Sequence, residues 1–255
     1  MKKLKRLLLF PALLTMGCET TYHYDDKGYQ ALEGGSLSLN DIHKLEVNWA
    51  GGNIACVQGQ DEALVLLESQ TDYPLYYKIE DDALTIHYAK NGTSSRAIDK
   101  LNKDLTIALP ASLSELTLDT VNANVKMTGS ISINKGKFNA VNGNYTFEAY
   151  AADESDFNLV NTILVISHLD VHYLTPEEEF SLPSPVEHKI DMNVTDGEVR
   201  VAIEDIVGYK VEWEAINSSF ISEFGANNKE AGMQCIKIDY KAVNSDFKIN
   251  RLVTR

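Results

Sequence analysis

Leu116-Thr-Leu-Asp-Thr-Val-Asn-Ala-Asn-Val-Lys-Met127 and Phe138-Asn-Ala-Val-Asn-Gly-Asn-Tyr-Thr-Phe147 repeat one layout about twenty residues apart. Each alternates apolar and polar residues, turns at Val-Asn-x-Asn, and resumes the alternation. Alternation of period two marks half-buried β-strands. Asn tolerates left-handed backbone angles and hydrogen-bonds neighbouring backbone, so it turns a corner that most residues resist. Val211–Phe220 and Ile236–Ile249 are further full copies, and Leu159-Val160-Asn161 and Val194-Thr195-Asp196-Gly197 are weaker ones. The marker Asn recurs at 122, 142 and 161, then at 217 and 244, with Thr195 between. A short repeat of this kind, two or three strands long, predicts an all-β chain folded as a β-solenoid-like stack. A β-sandwich made from a curled meander is the alternative.

The pattern extends outward in both directions. Leu45, Val47 and Trp49 alternate before Gly51-Gly52-Asn53, and Ile54 and Cys56 alternate after it. Leu84-Thr-Ile86 and Leu105-Thr-Ile107-Ala-Leu109-Pro110 continue the series, with one short helix expected within 95–103. Residues 42–255 are therefore expected to form one β-strand-repeat domain. Residues 18–41 lack periodicity, contain Gly34-Gly35, and read as a tether. Residues 174–188 hold three of the six prolines and four glutamates, which predicts an acidic, Pro-rich surface loop and a first place to seek a partner contact.

The leader gives an address. Lys2, Lys3, Lys5 and Arg6 precede the apolar run 7–14, and Thr15-Met16-Gly17-Cys18 closes it. This is the layout of a secretory signal peptide, residues 1–17, with Cys18 as the lipidation site of a bacterial lipoprotein. The run is shorter than the roughly 20 residues a membrane span needs. The expected location is the bacterial cell envelope, lipid-anchored, with Glu19 favouring the outer membrane if the organism has one. The chain carries 23 basic and 37 acidic residues, a net charge of −14, and four of the basic ones lie in the leader. That field repels phosphate backbones and excludes nucleic acid as a partner. Cys56 shares a face with core residue Ile54, whereas Cys235 is out of phase with Ile236 and Ile238, so two free cysteines are expected.

Gly52-Asn53-Ile54, Leu84-Thr-Ile86, Leu105-Thr-Ile107-Ala-Leu109-Pro110 and the repeated Val-Asn-x-Asn/Asp turns resemble the bacterial putative-adhesin family of β-strand-repeat domains. The resemblance runs from about Ile42 to Ile249. In that family the turn is more often Ser-Gly-Asp or Ser-Gly-Asn; here Gly143 and Gly197 keep the glycine, while Ala123, Ser218 and Ser245 replace it. The resemblance implies a cell-envelope protein with a right-handed solenoid-like fold. It carries over no catalytic residues.

Motifs for nucleophilic, phosphate-binding, dinucleotide and zinc-protease chemistry are missing from the sequence, as is zinc spacing among the cysteines. His168, Asp170 and His172 would share one face of a strand and form the best metal candidate, against the plainer reading of a solvated polar face. Asp119, Glu148, Glu212, Glu214 and Asp239 provide carboxylates for a glycan-active enzyme, but no pair stands out. Trp49, Trp213 and Tyr240 fall in phase with the core. Tyr76-Tyr77 and Tyr22-His-Tyr24 read as exposed rings able to stack on sugars. The function expected is non-catalytic, with no cofactor: adhesion or protein interaction through a protein or glycan partner. An envelope-stress or assembly scaffold binding a membrane protein of its own cell is the second reading. A glycan-active enzyme is the distant third.

Overall fold

A computed structural model describes residues 21–70, 72–171, 186–229 and 234–252. The expected leader, Cys18, His172 and all but the last three residues of the expected loop lie outside them. The described chain is all-β, with eighteen strands in one curled, open sheet and a separate pair, Thr21–Tyr22 with Thr93–Ser94. One α-helix, Ser95–Ile98, sits inside the expected 95–103 window; the Ser94 hydroxyl caps it by accepting from the Ala97 N–H at 3.4 Å. Among the described residues no helix is long and apolar enough to cross a membrane.

Most neighbouring strands are parallel and in register. Ala83–His87 lies against Lys44–Ala50, which lies against Glu115–Val121, which pairs with residues 135–141 of the long strand Asn124–Ile166. Residues 154–160 pair with Val186–Thr195, then Gln234–Val243, then Gly208–Ile216. A second row of strands, following each corner, is parallel as well: Asp104–Leu109, Asn53–Gln58 and residues 124–128, and further on Glu198–Glu204, Asp246–Leu252 and Ser219–Ser222. Register converts alternation into columns. Ile86, Val47, Leu118 and Phe138 line up, as do Phe157, Met192, Tyr240 and Trp213. Phe138 stacks on Phe157 at 4.7 Å, joining the two series. The inward residues form one continuous core from Leu32 to Ile249, each large side chain contributing roughly 1.5–3 kcal/mol by burial.

Register also explains the irregular marker spacing. The final strands, Gln234–Val243 and Asp246–Leu252, insert between Val186–Glu204 and Gly208–Ser222, so the step from Asn217 to Asn244 runs backward through the stack.

Three expectations are corrected. Residues 21–41 are no tether: Gln30–Ala31 pairs with Tyr76–Glu80, Ser36–Leu39 pairs with Leu64–Glu68, and Leu32 is buried. These strands cap the sheet end that the parallel series leaves open, which a periodicity search over one short segment does not detect. Val186, Glu187 and His188, counted in the loop, begin a ten-residue strand. Tyr22 and Tyr24 pack inward on His87 rather than facing sugars. The Tyr24 ring stacks on the imidazole at 3.7 Å and 9°, and the Tyr22 hydroxyl is 2.9 Å from Nδ1. Trp49 and Tyr240 lie in the core as expected, and Trp213 is half-buried against Tyr240.

Burial holds the His87 imidazole down at about 4, against about 6.5 in an unfolded chain. Its folded value is depressed, so the native state resists the proton that the unfolded state accepts. His87 thus contributes its full stability above pH 6.5, and the contribution falls away as pH drops from 6.5 toward 4. Urea unfolding at pH 7.5 and 4.5 should show wild type losing on the order of 1–3 kcal/mol more than His87→Phe, which keeps the stack but cannot titrate. Equal losses in the two proteins would contradict this.

Candidate functional site

The corners between the two rows of strands follow the sequence closely. Asn122, Asn142, Asn161, Asp196, Asn217 and Asn244 all adopt positive φ, between 48° and 57°. In the weak copy the turning residue is Asp196, not Thr195. Because these corners stack, their side chains meet. Asn142 Nδ2 donates to Asn122 Oδ1 at 2.9 Å, and Asn161 Nδ2 to Asn142 Oδ1 at 2.8 Å. Asn244 Nδ2 donates to Asp196 Oδ1 at 3.0 Å, and Asn217 Nδ2 to Asn244 Oδ1 at 3.4 Å. Gly51, at φ 92°, takes the corner position in the first copy, where its N–H donates to the Val121 carbonyl.

Two further ladders flank the corner, and the sequence reading missed both. Three residues before each marker, Asn139 donates to Asp119, Asn158 to Asn139 at 2.8 Å, and Asn193 to Asn158 at 3.1 Å. Two residues after it, Asn53 Nδ2 donates to Asp104 Oδ1 at 2.8 Å; Asn124 donates to Asn53 and Asn144 to Asn124, each at 3.2 Å. The usable signal was there: Asn or Asp at fixed offsets of −3 and +2 from the marker, both on outward positions. Burial raises the Asp119 carboxyl pKa, partly offset by the Asn139 amide.

Between the corner ladder and the +2 ladder runs a concave strip. Gly143, Thr162 and Gly197 form its floor; Asn142, Asn161 and Asp196 stand on one side, and Asn144, Ile163 and Glu198 on the other. Thr162 turns its hydroxyl onto the Val160 carbonyl at 2.9 Å, and the two glycines leave bare backbone for a steric reason. A Cβ on Gly143 would lie 2.2 Å from the Ala123 carbonyl oxygen, and one on Gly197 2.6 Å from that of Thr162. Each ladder amide spends one N–H and one lone pair on its neighbours and keeps the others for solvent or ligand. The strip therefore offers amide donors and acceptors at the inter-strand spacing of about 4.8 Å, with the carboxylates of Asp196 and Glu198 at one end.

Asn142→Ala should lose about 1–2 kcal/mol, since it forfeits ladder bonds and forces a Cβ other than that of Asn into left-handed backbone. Asn142→Gly, free of the backbone penalty, should lose less. Equal losses in urea titrations would show that conformation plays no part.

The other nominated residues behave differently. His168 and Asp170 come together, Nε2 to Oδ2 at 3.9 Å, and Glu204 joins them at 3.6 Å. Among the described residues no group of three or more His, Cys, Asp or Glu is arranged to hold a metal. Cys56 is buried, its thiol pKa pushed up to about 12 by desolvation; Cys235 is half-buried, and the two are not bonded to each other. Glu148 accepts from the Gly129 N–H at 2.9 Å. Glu212 lies 3.1 Å from Lys210 and 3.3 Å from Lys237, which pull its carboxyl below the usual range. Asp239 pairs with Lys241 at 3.1 Å. Glu214 has no ion-pair partner among the described residues.

No protein-family model matches this chain, and no curated protein matches it. Solved structures similar to it include a putative cell adhesion protein from Clostridium sporogenes, 14% identical, with a TM-score of 0.44 over 88% of this chain and 98% of that one. A putative adhesin from Bacteroides fragilis is 13% identical, with a TM-score of 0.40 over 85% and 98%. A putative adhesin from Parabacteroides distasonis is 11% identical, with a TM-score of 0.38 over 86% and 96%.

Proposed function

We propose that the protein is a non-catalytic interaction module of the bacterial cell envelope. In this reading it is exported, held to a membrane by lipid on Cys18, and built as a solenoid-like stack of roughly twenty-residue rungs. Its asparagine corner is presented to an extended glycan or protein. The run of parallel neighbours favours a stack over a β-sandwich, whose sheets are antiparallel.

The observation that carries the proposal is the in-register ladder through Asn122, Asn142 and Asn161, with the floor of Gly143, Thr162 and Gly197 beside it. A linear ligand laid along the strip meets similar amides at each step, so weak contacts add through effective concentration. Neutral hydroxyl-bearing chains match walls of amides and the two carboxylates Asp196 and Glu198 better than anions, which those carboxylates and the net charge of −14 repel.

Binding of the chain lacking residues 1–18 to intact cells and to immobilised envelope polysaccharides tests this. Ile163→Arg and Glu198→Arg, both on the strip wall, should weaken binding about tenfold with unchanged melting. Binding that ignores both variants would remove the strip from the proposal, and release of sugar ends by the purified protein would remove its non-catalytic character. Protease shaving separates the two settings: cleavage on intact cells supports adhesion, and protection supports a scaffold facing its own cell. Cys18→Ala should move the protein from membrane to soluble fractions.

A further inference from the structure

The two ends of the stacked strands are finished differently. At one end antiparallel strands close the sheet: Leu64–Glu68 runs against Asp104–Leu109 and Ser36–Leu39, and Tyr76–Glu80 runs against Ala83–His87 and Gln30–Ala31. At the other end Gly208–Ile216 pairs along its whole length with Gln234–Val243 on one side only. On its outer side Tyr209 and Lys210 pair with Lys229 and Asn228, and the Val211 N–H donates to the Asn227 carbonyl at 2.9 Å. Beyond Val211 the outer edge, residues 212–216, has no strand partner among the described residues. Ser219–Ser222 likewise pairs only with Asp246–Leu252.

The core is unfinished at this edge. Trp213, Ala215 and Phe220 point inward yet stay half-buried. The Trp213 ring lies flat on Tyr240 at 4.8 Å and 4°, so its other face looks out of the stack. Ile216 and Ile221 are 64% and 56% exposed. Stacked-repeat proteins need a polar cap on terminal units, and this one presents an aromatic ring beside an open row of backbone N–H and C=O groups.

We propose that this edge receives an extended strand from a partner protein, one whose side chains alternate between apolar and basic. Its backbone would complete the sheet, the β-augmentation mode of peptide recognition. Its apolar residues would cover Trp213, Ala215 and Phe220, and a Lys or Arg would stand beside Glu214. Glu212 is already held by Lys210 and Lys237, whereas Glu214, whose register neighbour Lys241 pairs with Asp239, has no close ion-pair partner among the described residues. The same residue argues against a second copy of this chain. The longest antiparallel self-pairing of residues 212–216 sets Glu214 against its own copy, and like charges directly opposite destabilise a strand pair. Charged edge residues are a known guard against self-association. This surface is distinct from the asparagine strip, so the proposal does not depend on the reading given to that strip.

The test uses the chain lacking residues 1–18 and two amidated heptapeptides of equal composition, Lys-Val-Lys-Val-Lys-Val-Lys and Lys-Lys-Lys-Lys-Val-Val-Val. The readout is acrylamide quenching of tryptophan fluorescence, which is dominated by Trp213 because Trp49, the other tryptophan, is buried. The alternating peptide should protect Trp213 saturably and the block peptide should not. Glu214→Lys, at an exposed position and verified as folded by circular dichroism, should weaken the alternating peptide about tenfold. Equal protection by both peptides, which would mean charge attraction alone, overturns the proposal. So does protection by neither, unchanged affinity in Glu214→Lys, or a peptide-free dimer that already shields Trp213.

Discussion

Lys103→Met is expected to destabilise the protein by about 3–5 kcal/mol, the range for breaking one side of a buried ion pair. Both Lys103 and Glu68 have fully buried side chains, with Nζ 2.6 Å from Oε1. Nζ also donates to the Tyr73 carbonyl at 3.0 Å, and it lies 4.7 Å from the centre of the Tyr88 ring and 5.3 Å from that of Trp49. Glu68 uses its second oxygen to accept from the Leu75 N–H at 2.9 Å. The Tyr88 hydroxyl accepts from the Lys103 N–H and donates to the Leu101 carbonyl. Burial pulls the ammonium below the ordinary lysine range, with Glu68 opposing that shift. Removing the ammonium strands a carboxylate without water, and Glu68→Leu strands an ammonium. Each single variant should lose about 3–5 kcal/mol, and the double variant less than their sum, because the two charges disappear together. The double variant should still fall below wild type, since the Leu75 N–H and the Tyr73 carbonyl lose partners at about 1–3 kcal/mol each. Urea titration of the four proteins decides the matter. Losses under about 1 kcal/mol in both singles would mean that water reaches the pair.

Gly136→Leu is the second large effect, and a repeat-averaged sequence would invite it. Leu116, the register neighbour of Gly136, fills the core, and so does Ile190, the neighbour of Ser155. At Gly136 and Ser155 the side chains shrink because Tyr150 occupies their volume. A Cβ on Gly136 would stand 2.1 Å from Tyr150 Oη and 2.7 Å from the Phe138 ring. Tyr150 cannot swing away: its hydroxyl is 2.7 Å from Ser155 Oγ and its ring packs on Phe138, Phe147 and Phe157. Overpacking here should lose about 3 kcal/mol, or about 6–12 °C in melting temperature for a chain of this size. Tyr150→Ala alone should lose about 3–5 kcal/mol. In the Gly136→Leu background it should lose at least about 1 kcal/mol less, because the two side chains compete for one space. Strict additivity would mean that the leucine finds room elsewhere.

Both effects lie where the sequence reading was silent. Lys103 and Glu68 look like surface charges in any window of the chain, since burial of a charge depends on the partner it meets and that partner is 35 residues away. Gly136 interrupts a clean alternation for a reason located at Tyr150, beyond the next corner. The strands Gln30–Ala31 and Ser36–Leu39 are too short to announce themselves and acquire meaning only from the edges they cover.

The amino-acid sequence by itself determined the β character, the inward set of the repeat strands, and the positions of the corners at Asn122, Asn142, Asn161, Asn217 and Asn244. Those are local properties: alternation follows from the two-residue pleat, and left-handed φ from what an Asn backbone tolerates. Tertiary structure alone decided the order of the strands, with the C-terminal pair inserted ahead of Gly208–Ile216. It also decided that isolated Asn and Asp residues would join into three ladders, and that one end of the sheet would be capped and the other left open. Each of these depends on which strand lies beside which, a non-local choice made by the summed packing and hydrogen bonding of the whole core.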